Sequence, residues 1–244
     1  DNINSHSSNS ETRGGGIYCD GGTLVNCYVL NNTNGDSYDA ATFGGGVYMY
    51  SGTAYNCVIA GNQTNGERSE GAGIFIENAI FFNNTIVNNR SNGSDTGAGG
   101  ICIWRSGSSS NLVLYNCVVL GNSVNALNNT GNKDVASNAG VINCYNSIFE
   151  RTDNAGSGTT RVVYDQSCTS LSSLGFNDNT YRNIFNNYTG GDYRINGAGA
   201  GSIAINSGNN EPVINGETYV LMDYTDMDFT DRIKDCTIDA GAYE

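Results

Sequence analysis

The segment GGGVYMYSGTAYNCVIAGN, Gly44 to Asn62, recurs along this chain, and the recurrence restricts the fold more than any other feature. GGGIYCDGGTLVNCYVLNN precedes it from Gly14 to Asn32, and GAGIFIENAIFFNNTIVNN follows from Gly71 to Asn89. A copy with an insert runs from Gly99 to Asn122, and a fainter one from Asp134 to Phe149. The first aliphatic of each copy is Ile17, Val47, Ile74, Ile101 and Val135, spaced by 30, 27, 27 and 34 residues. A period of this length with no helical spacing inside it belongs to stacked units, none of which can bury its apolar face alone.

Within a copy, Ile17 and Cys19, Val47 and Met49, Ile74 and Ile76, and Ile101 and Ile103 alternate with Tyr18, Tyr48, Phe75 and Cys102. Alternation of period two sends the two sets to opposite faces of a strand. A glycine or serine turn leads to a second strand carrying Leu24, Ala54, Phe81, Leu114 and Val141. The apolar phase then shifts at an asparagine column of Asn26, Asn56, Asn83, Asn116 and Asn143, which implies a bend, because asparagine tolerates left-handed backbone angles. Cys27, Cys57, Cys117 and Cys144 follow that column, with Asn84 taking the place in the third copy. Asn32, Asn62, Asn89 and Asn122 form a second column whose amides can bond from coil to coil. The expected fold is all-β: a right-handed parallel β-helix with three short strands per coil. Residues 1–170 are expected to form the coils, and 171–244 the final coils and an irregular C-terminal cap of the same domain. Asn2 precedes Gly14 by the same twelve positions that separate Asn32 from Gly44, so Asp1 reads as lying inside a coil whose N-terminal predecessors are missing.

Eight cysteines would ordinarily suggest disulfides in an exported chain. Cys27 over Cys57, and Cys117 over Cys144, would project in parallel, which suits a bridge poorly. Reduced thiols packed as small hydrophobes are the expectation; the pairing of Cys168 and Cys236 stays open. The net charge of −13, with 11 basic against 24 acidic residues, excludes a nucleic acid or anionic membrane surface as partner, since either requires clustered lysine and arginine. No apolar run is long enough to cross a bilayer, so direct membrane insertion is not expected, and a monomer is.

Beyond Glu150 the repeat fades. The later segment carries Gly191, Asp192, Tyr193, Arg194 and Ile195, then Ser202 to Gly208, then Asp228, Arg232, Ile238, Asp239, Gly241, Ala242, Tyr243 and Glu244. Together with the glycine-led coils, these motifs resemble bacterial parallel β-helix proteins of the pectate-lyase-like superfamily that carry a choice-of-anchor Q region. Where those proteins usually read Ser-Pro-Ala-Ile-Asp-Ala-Gly, this chain has Ser202, Ile203, Ala204, Ile205, Asn206, Ser207 and Gly208, without the proline and the acid. The resemblance implies a secreted or cell-surface location and fixes no activity.

Tyr18, Tyr48 and Phe75 are expected as an outward aromatic column, a surface that suits the apolar face of a sugar ring. The polar segments of unequal length between coils are expected as exposed loops. Asp36, Asp39, Glu67, Glu70 and Asp95 could line that loop edge. Asp223, Asp226 and Asp228 could hold a hard cation such as Ca2+ through oxygens, although their spacing matches no calcium loop; otherwise no cofactor is expected. The function expected is a non-catalytic binding or adhesion module for a polysaccharide or surface glycan. The alternatives are a polysaccharide lyase or glycoside hydrolase, which needs facing carboxylates across a groove, and a structural spacer.

Overall fold

The computed structural model describes every residue except 1, 5–9, 37–40, 94, 104–109, 126–133, 138, 152–155, 158–159, 177–179, 198–200, 202, 222–224, 229–237 and 244. The repeats form a parallel β-solenoid of about four turns. All five anchors are in register: Ile17 pairs with Val47, Val47 with Ile74, Ile74 with Ile101 and Ile101 with Val135.

The strands of a coil fall into four stacked sheets, not three. Two expected strands fuse in the second and third coils, giving the nine-residue strands Val47–Tyr55 and Ile74–Phe82 of one long sheet. Past the bend, Val58–Ala60, Thr85–Val87 and Val118–Leu120 belong to a second sheet that runs from Tyr28–Leu30 to Thr169–Ser170. The segments expected as loops hold two narrow sheets, one through Thr33–Asn34, Gln63–Thr64 and Arg90–Ser91, the other through Glu11–Arg13, Ala41–Phe43, Arg68–Glu70 and Asp95–Thr96. A backbone that closes a coil must pair its N–H and C=O groups, and the equivalent segment above and below supplies the partners. Between the narrow sheets the interior is hydroxyl-lined: Thr64 donates to Ser91 Oγ at 3.1 Å, and Ser91 donates to the Ser69 carbonyl at 2.7 Å. Between the long and second sheets it is aliphatic, with Val47, Ile59, Ile74, Ile86, Ile101 and Val119 fully buried.

Asn26, Asn56, Asn83 and Asn116 turn the corner between these two sheets with φ of 50° to 54°. In the fifth coil the expected corner residue, Asn143, lies instead inside the strand Val141–Tyr145 opposite Val113, and Asn146 (φ 46°) makes the turn. Cys144 accordingly pairs with Leu114, not Cys117. Pleating explains the three-residue slip: the observed register keeps Ile142 and Cys144 inward, and the expected one, an odd shift away, would turn both out.

The position after each corner is a donor column. Cys27, Cys57 and Cys117 each donate Sγ–H to the carbonyl two residues earlier at 3.1–3.2 Å. Asn84 and Ser147 make the same bond, at 3.0 and 2.7 Å. The thiols are therefore small donors as well as packing groups. The seven described cysteines are unbridged, and burial pushes the Cys57 thiol up to about 12 and Cys168 to about 11. Cys236 lies outside the described residues.

The second asparagine column is a directional ladder. Asn32 gives its main-chain N–H and its Nδ2 to Asn62 Oδ1 at 2.9 and 3.0 Å. Asn62 does the same to Asn89, and Asn89 to Asn122. Because every member donates toward the C-terminal end, the last must accept without donating, and it is Asp134. Its Oδ1 accepts Nδ2 of Asn122 at 3.0 Å, and its Oδ2 accepts the Glu150 N–H at 3.0 Å. Each buried group left unpaired would cost about 1–3 kcal/mol, so an aspartate suits this end as an asparagine would not.

No described residue beyond Ser170 joins the parallel sheets. The following segment runs along the flank of the solenoid and covers the outer face of the second sheet. Val58, Val87, Val118, Leu120 and Ile148 pack there against Leu171, Ile184, Phe185, Tyr188, Ala240 and Ala242. It also covers the aromatic end of the long sheet, where Tyr55, Phe82 and Tyr115 meet Ile214, Leu221 and Ile238. The expected end cap is thus a lateral cover, and an apolar outer face on short strands is the physical reason for it.

Candidate functional site

The outer face of the long sheet is the only broad sheet face, among the described residues, that combines stacked aromatics with polar groups outside the C-terminal cover. Its strands point alternate residues outward, and in-register stacking turns each outward position into a file. One file is Tyr18, Tyr48 and Phe75, with ring centroids 5.2 and 5.5 Å apart and planes within 13°. A second, Tyr55, Phe82, Tyr115 and Tyr145, stacks at 4.6–6.1 Å at the other end of the strands. Between them lies a polar strip of half-buried Tyr50, Ser51, Thr53 and Asn78 with exposed Asn111. Asn78 Oδ1 accepts the Asn111 N–H at 3.1 Å, and Asn143 donates to Asn111 Oδ1 at 3.3 Å, which fixes the amides of this strip.

The aromatic column is present, but its rings differ in access. Tyr18 is 55% exposed, whereas Tyr48 and Phe75 are 1% and 2% exposed and are corrected from surface to buried positions. Neighbouring elements bury them: the Phe43 ring lies 4.7 Å from Phe75, and the Arg13 guanidinium lies 5.2 Å above Tyr48. The Tyr48 hydroxyl donates to Glu77 Oε1 at 2.7 Å. Burial first, then that bond to a carboxylate, holds the Tyr48 phenol well above its ordinary range. Arg13 also reaches Glu11 at 3.0 Å, so a guanidinium–carboxylate pair borders the accessible Tyr18 ring.

The acids proposed for the loop edge do not converge among the described residues. Glu70 is 3% exposed, sits in the strand Arg68–Glu70 and pairs with Arg68 Nε at 2.7 Å. Its Oε2 also accepts the Cys102 thiol at 3.4 Å. Glu67 is exposed, Asp36 is half-buried, and the backbone of Asp95 pairs with Arg68. Asp39 lies outside the described residues. For the cation set, Asp223 lies outside them as well; Asp226 is buried and accepts the Asp228 N–H at 2.9 Å, while Asp228 is exposed. No group of three metal-ligating side chains occurs among the described residues.

Sequence reasoning passed over Arg13, Tyr50 and Glu77. The signal was available in part: Tyr50 and Glu77 stand three residues after the anchors Val47 and Ile74, where alternation sends them outward beside the aromatic file. Comparison of the chain with protein-family models, with curated proteins and with solved structures returned no match.

Proposed function

We propose that this protein is a secreted or cell-surface module that binds a polysaccharide or surface glycan without transforming it. The observation that carries this reading is the accessible Tyr18 ring, backed by Tyr48 in a near-parallel stack and bordered by Arg13 and Glu11. A rigid ring held face-outward covers the C–H face of a sugar at little entropic cost, and adjoining polar side chains address its hydroxyls. The polar strip from Tyr50 to Asn111 extends the surface beyond one sugar unit. The resemblance of the C-terminal motifs to choice-of-anchor Q proteins of the pectate-lyase-like superfamily supports an exported location.

Hydrolysis requires two carboxylates flanking one glycosidic bond. Glu70 and Glu77 are both buried and engaged, by Arg68 and Tyr48 respectively, which favours binding over catalysis. A glycan array paired with assays for reducing ends and unsaturated products tests the reading. Saturable binding without product release is expected, weakened about tenfold or more by Tyr18→Ala, in keeping with the 1–3 kcal/mol typical of a stacking contact. Product release would replace this reading with an enzymatic one, and silence in both assays would leave a spacer.

A further inference from the structure

A concave site lies on the C-terminal cover, separate from the Tyr18 ring. It is a cleft of about 300 Å³ whose lining includes Asn186, Arg194, Ile205, Asp228, Asp239 and Tyr243. The hairpin of Phe185–Asn187 and Asp192–Ile195 supplies Asn186 and Arg194, while the chain terminus supplies Asp239 and Tyr243. With Ile205 and Asp228 from between them, groups far apart in sequence meet at one opening.

The polar groups of the cleft are held in place. Arg194 gives Nε and Nη2 to Asp192 Oδ1 and Oδ2 at 2.8 and 2.6 Å, a two-point grip that fixes the guanidinium plane. Among the described residues no acceptor takes its Nη1 hydrogens. Asp239 is 8% exposed, and its Oδ1 accepts the Asn206 N–H at 2.6 Å. The Asp228 carboxylate is exposed and close enough to act electrostatically on both Arg194 and Tyr243. The Tyr243 hydroxyl meets that of Tyr28 at 2.5 Å, which joins the cover to the first coil and brings the Tyr28 ring, 54% exposed, to the same neighbourhood.

This combination selects a class of guest. Arg194 and Asn186 donate, Asp228 and Asp239 accept, and Tyr243 with Ile205 supplies apolar wall. A hydroxyl both donates and accepts, so a compact polyol satisfies such a mixed lining, whereas a purely apolar or singly charged guest leaves groups unpaired. With one guanidinium and two carboxylates, the lining carries net negative charge, which opposes an anionic sugar. The fixed guanidinium opposes a divalent cation. The volume stands at the small end of ligand pockets and fits one sugar unit.

We propose that the cleft of Arg194, Asp228, Asp239 and Tyr243 binds a single neutral hexose unit, independently of the Tyr18 surface. The test titrates the protein with glucose, galactose, mannose and N-acetylglucosamine, separately, by calorimetry and ligand-observed NMR, with glucuronate as the charged control. At least one neutral sugar should bind saturably with Kd on the order of 1 mM. Asp228→Asn and Asn186→Ala, both at exposed positions, should each weaken it about tenfold with unchanged melting, as expected for loss of a hydrogen bond to a hydroxyl. Tyr18→Ala should leave it unchanged, and glucuronate should bind at least tenfold more weakly than the best neutral sugar. The proposal is overturned by absence of saturable binding to all four sugars, by affinity that survives both cleft substitutions, by affinity lost with Tyr18→Ala, or by glucuronate binding as tightly as the neutral sugars.

Discussion

The two outer flanks of the solenoid are built from the same kind of strand and end differently. On the second sheet, short strands present Val58, Val87, Val118 and Ile148 outward, and Leu171, Ile184, Phe185, Tyr188, Ala240 and Ala242 of the C-terminal segment are laid over them. On the long sheet, the outward files are aromatic at the two ends, and the cover packs on the file of Tyr55, Phe82 and Tyr115 and on the adjoining Ile80 and Val113, while Tyr50, Ser51, Thr53, Asn78 and Asn111 keep polar groups between the ends. The difference lies in what an outward residue can do without a partner. A stack of valines requires burial, whereas a strip of Tyr50, Ser51, Thr53 and Asn111 is stable facing water and remains available to a ligand.

Carboxylates placed on each flank should break the comparison most sharply. Val87→Asp buries an uncompensated charge beneath the cover and should cost at least about 4 kcal/mol, enough to leave little soluble folded protein. Thr53→Asp on the polar strip, half-buried and open to water, should shift stability by less than about 1 kcal/mol. Chemical denaturation of the two variants beside the parent measures both. Equal losses would mean that the long-sheet face is as closed as the second.

Much of the solenoid was legible in the sequence because its determinants are local. An aliphatic anchor, a glycine turn and a left-handed asparagine each act within a few residues, so Ile17 through Val135 and Asn26 through Asn116 could be aligned by spacing alone. The fifth corner was misplaced because Asn143, Cys144 and Asn146 lie close together, and only pleat parity against Leu114 and Tyr115 decides between them. The narrow sheets were hidden because Thr, Ser, Asn and Arg serve equally well in loops; stacking, not composition, makes them strands. The burial of Tyr48 and Phe75 was hidden for a different reason. Their own strand sends them outward, and it is Phe43 and Arg13, from another sheet, that close over them. The position of the C-terminal segment depends on contacts such as Tyr28 with Tyr243, 215 residues apart, which no periodicity encodes.

A smaller effect separates two rings within the open flank. Tyr48→Ala removes a buried ring and the hydroxyl that donates to Glu77, and should cost about 3–4 kcal/mol. Tyr18→Ala removes one exposed face of the stack and should cost under about 1 kcal/mol. Thermal melts of the two variants distinguish a buried support from an accessible contact. A large loss for Tyr18→Ala would make its ring part of the packing and weaken its assignment as a sugar platform.

The smallest effect is electrostatic and compares the flanks through their phenols. Burial is the largest cause raising the phenols of Tyr188 and Tyr243 under the cover and of Tyr48 on the long sheet; the neighbouring phenol of Tyr181 adds to it at Tyr188, and hydrogen bonds to Tyr28 and Glu77 add to it at Tyr243 and Tyr48. A phenol raised in the folded state above its ordinary value of 10.0 keeps its proton after the unfolded chain has released it. The stability it contributes is therefore complete below pH 10 and declines as the pH rises from there through the folded value. Tyrosinate absorbance should accordingly develop in two stages, the second coinciding with loss of the β-sheet circular dichroism signal. Replacing Tyr188 and Tyr243 together by phenylalanine should move that second stage to higher pH by more than Tyr48→Phe does, because two buried ionisations are removed instead of one. If all 15 tyrosines titrate in one stage with the sheet signal intact, the cover does not seal the second sheet from water, and the distinction between the two flanks is lost.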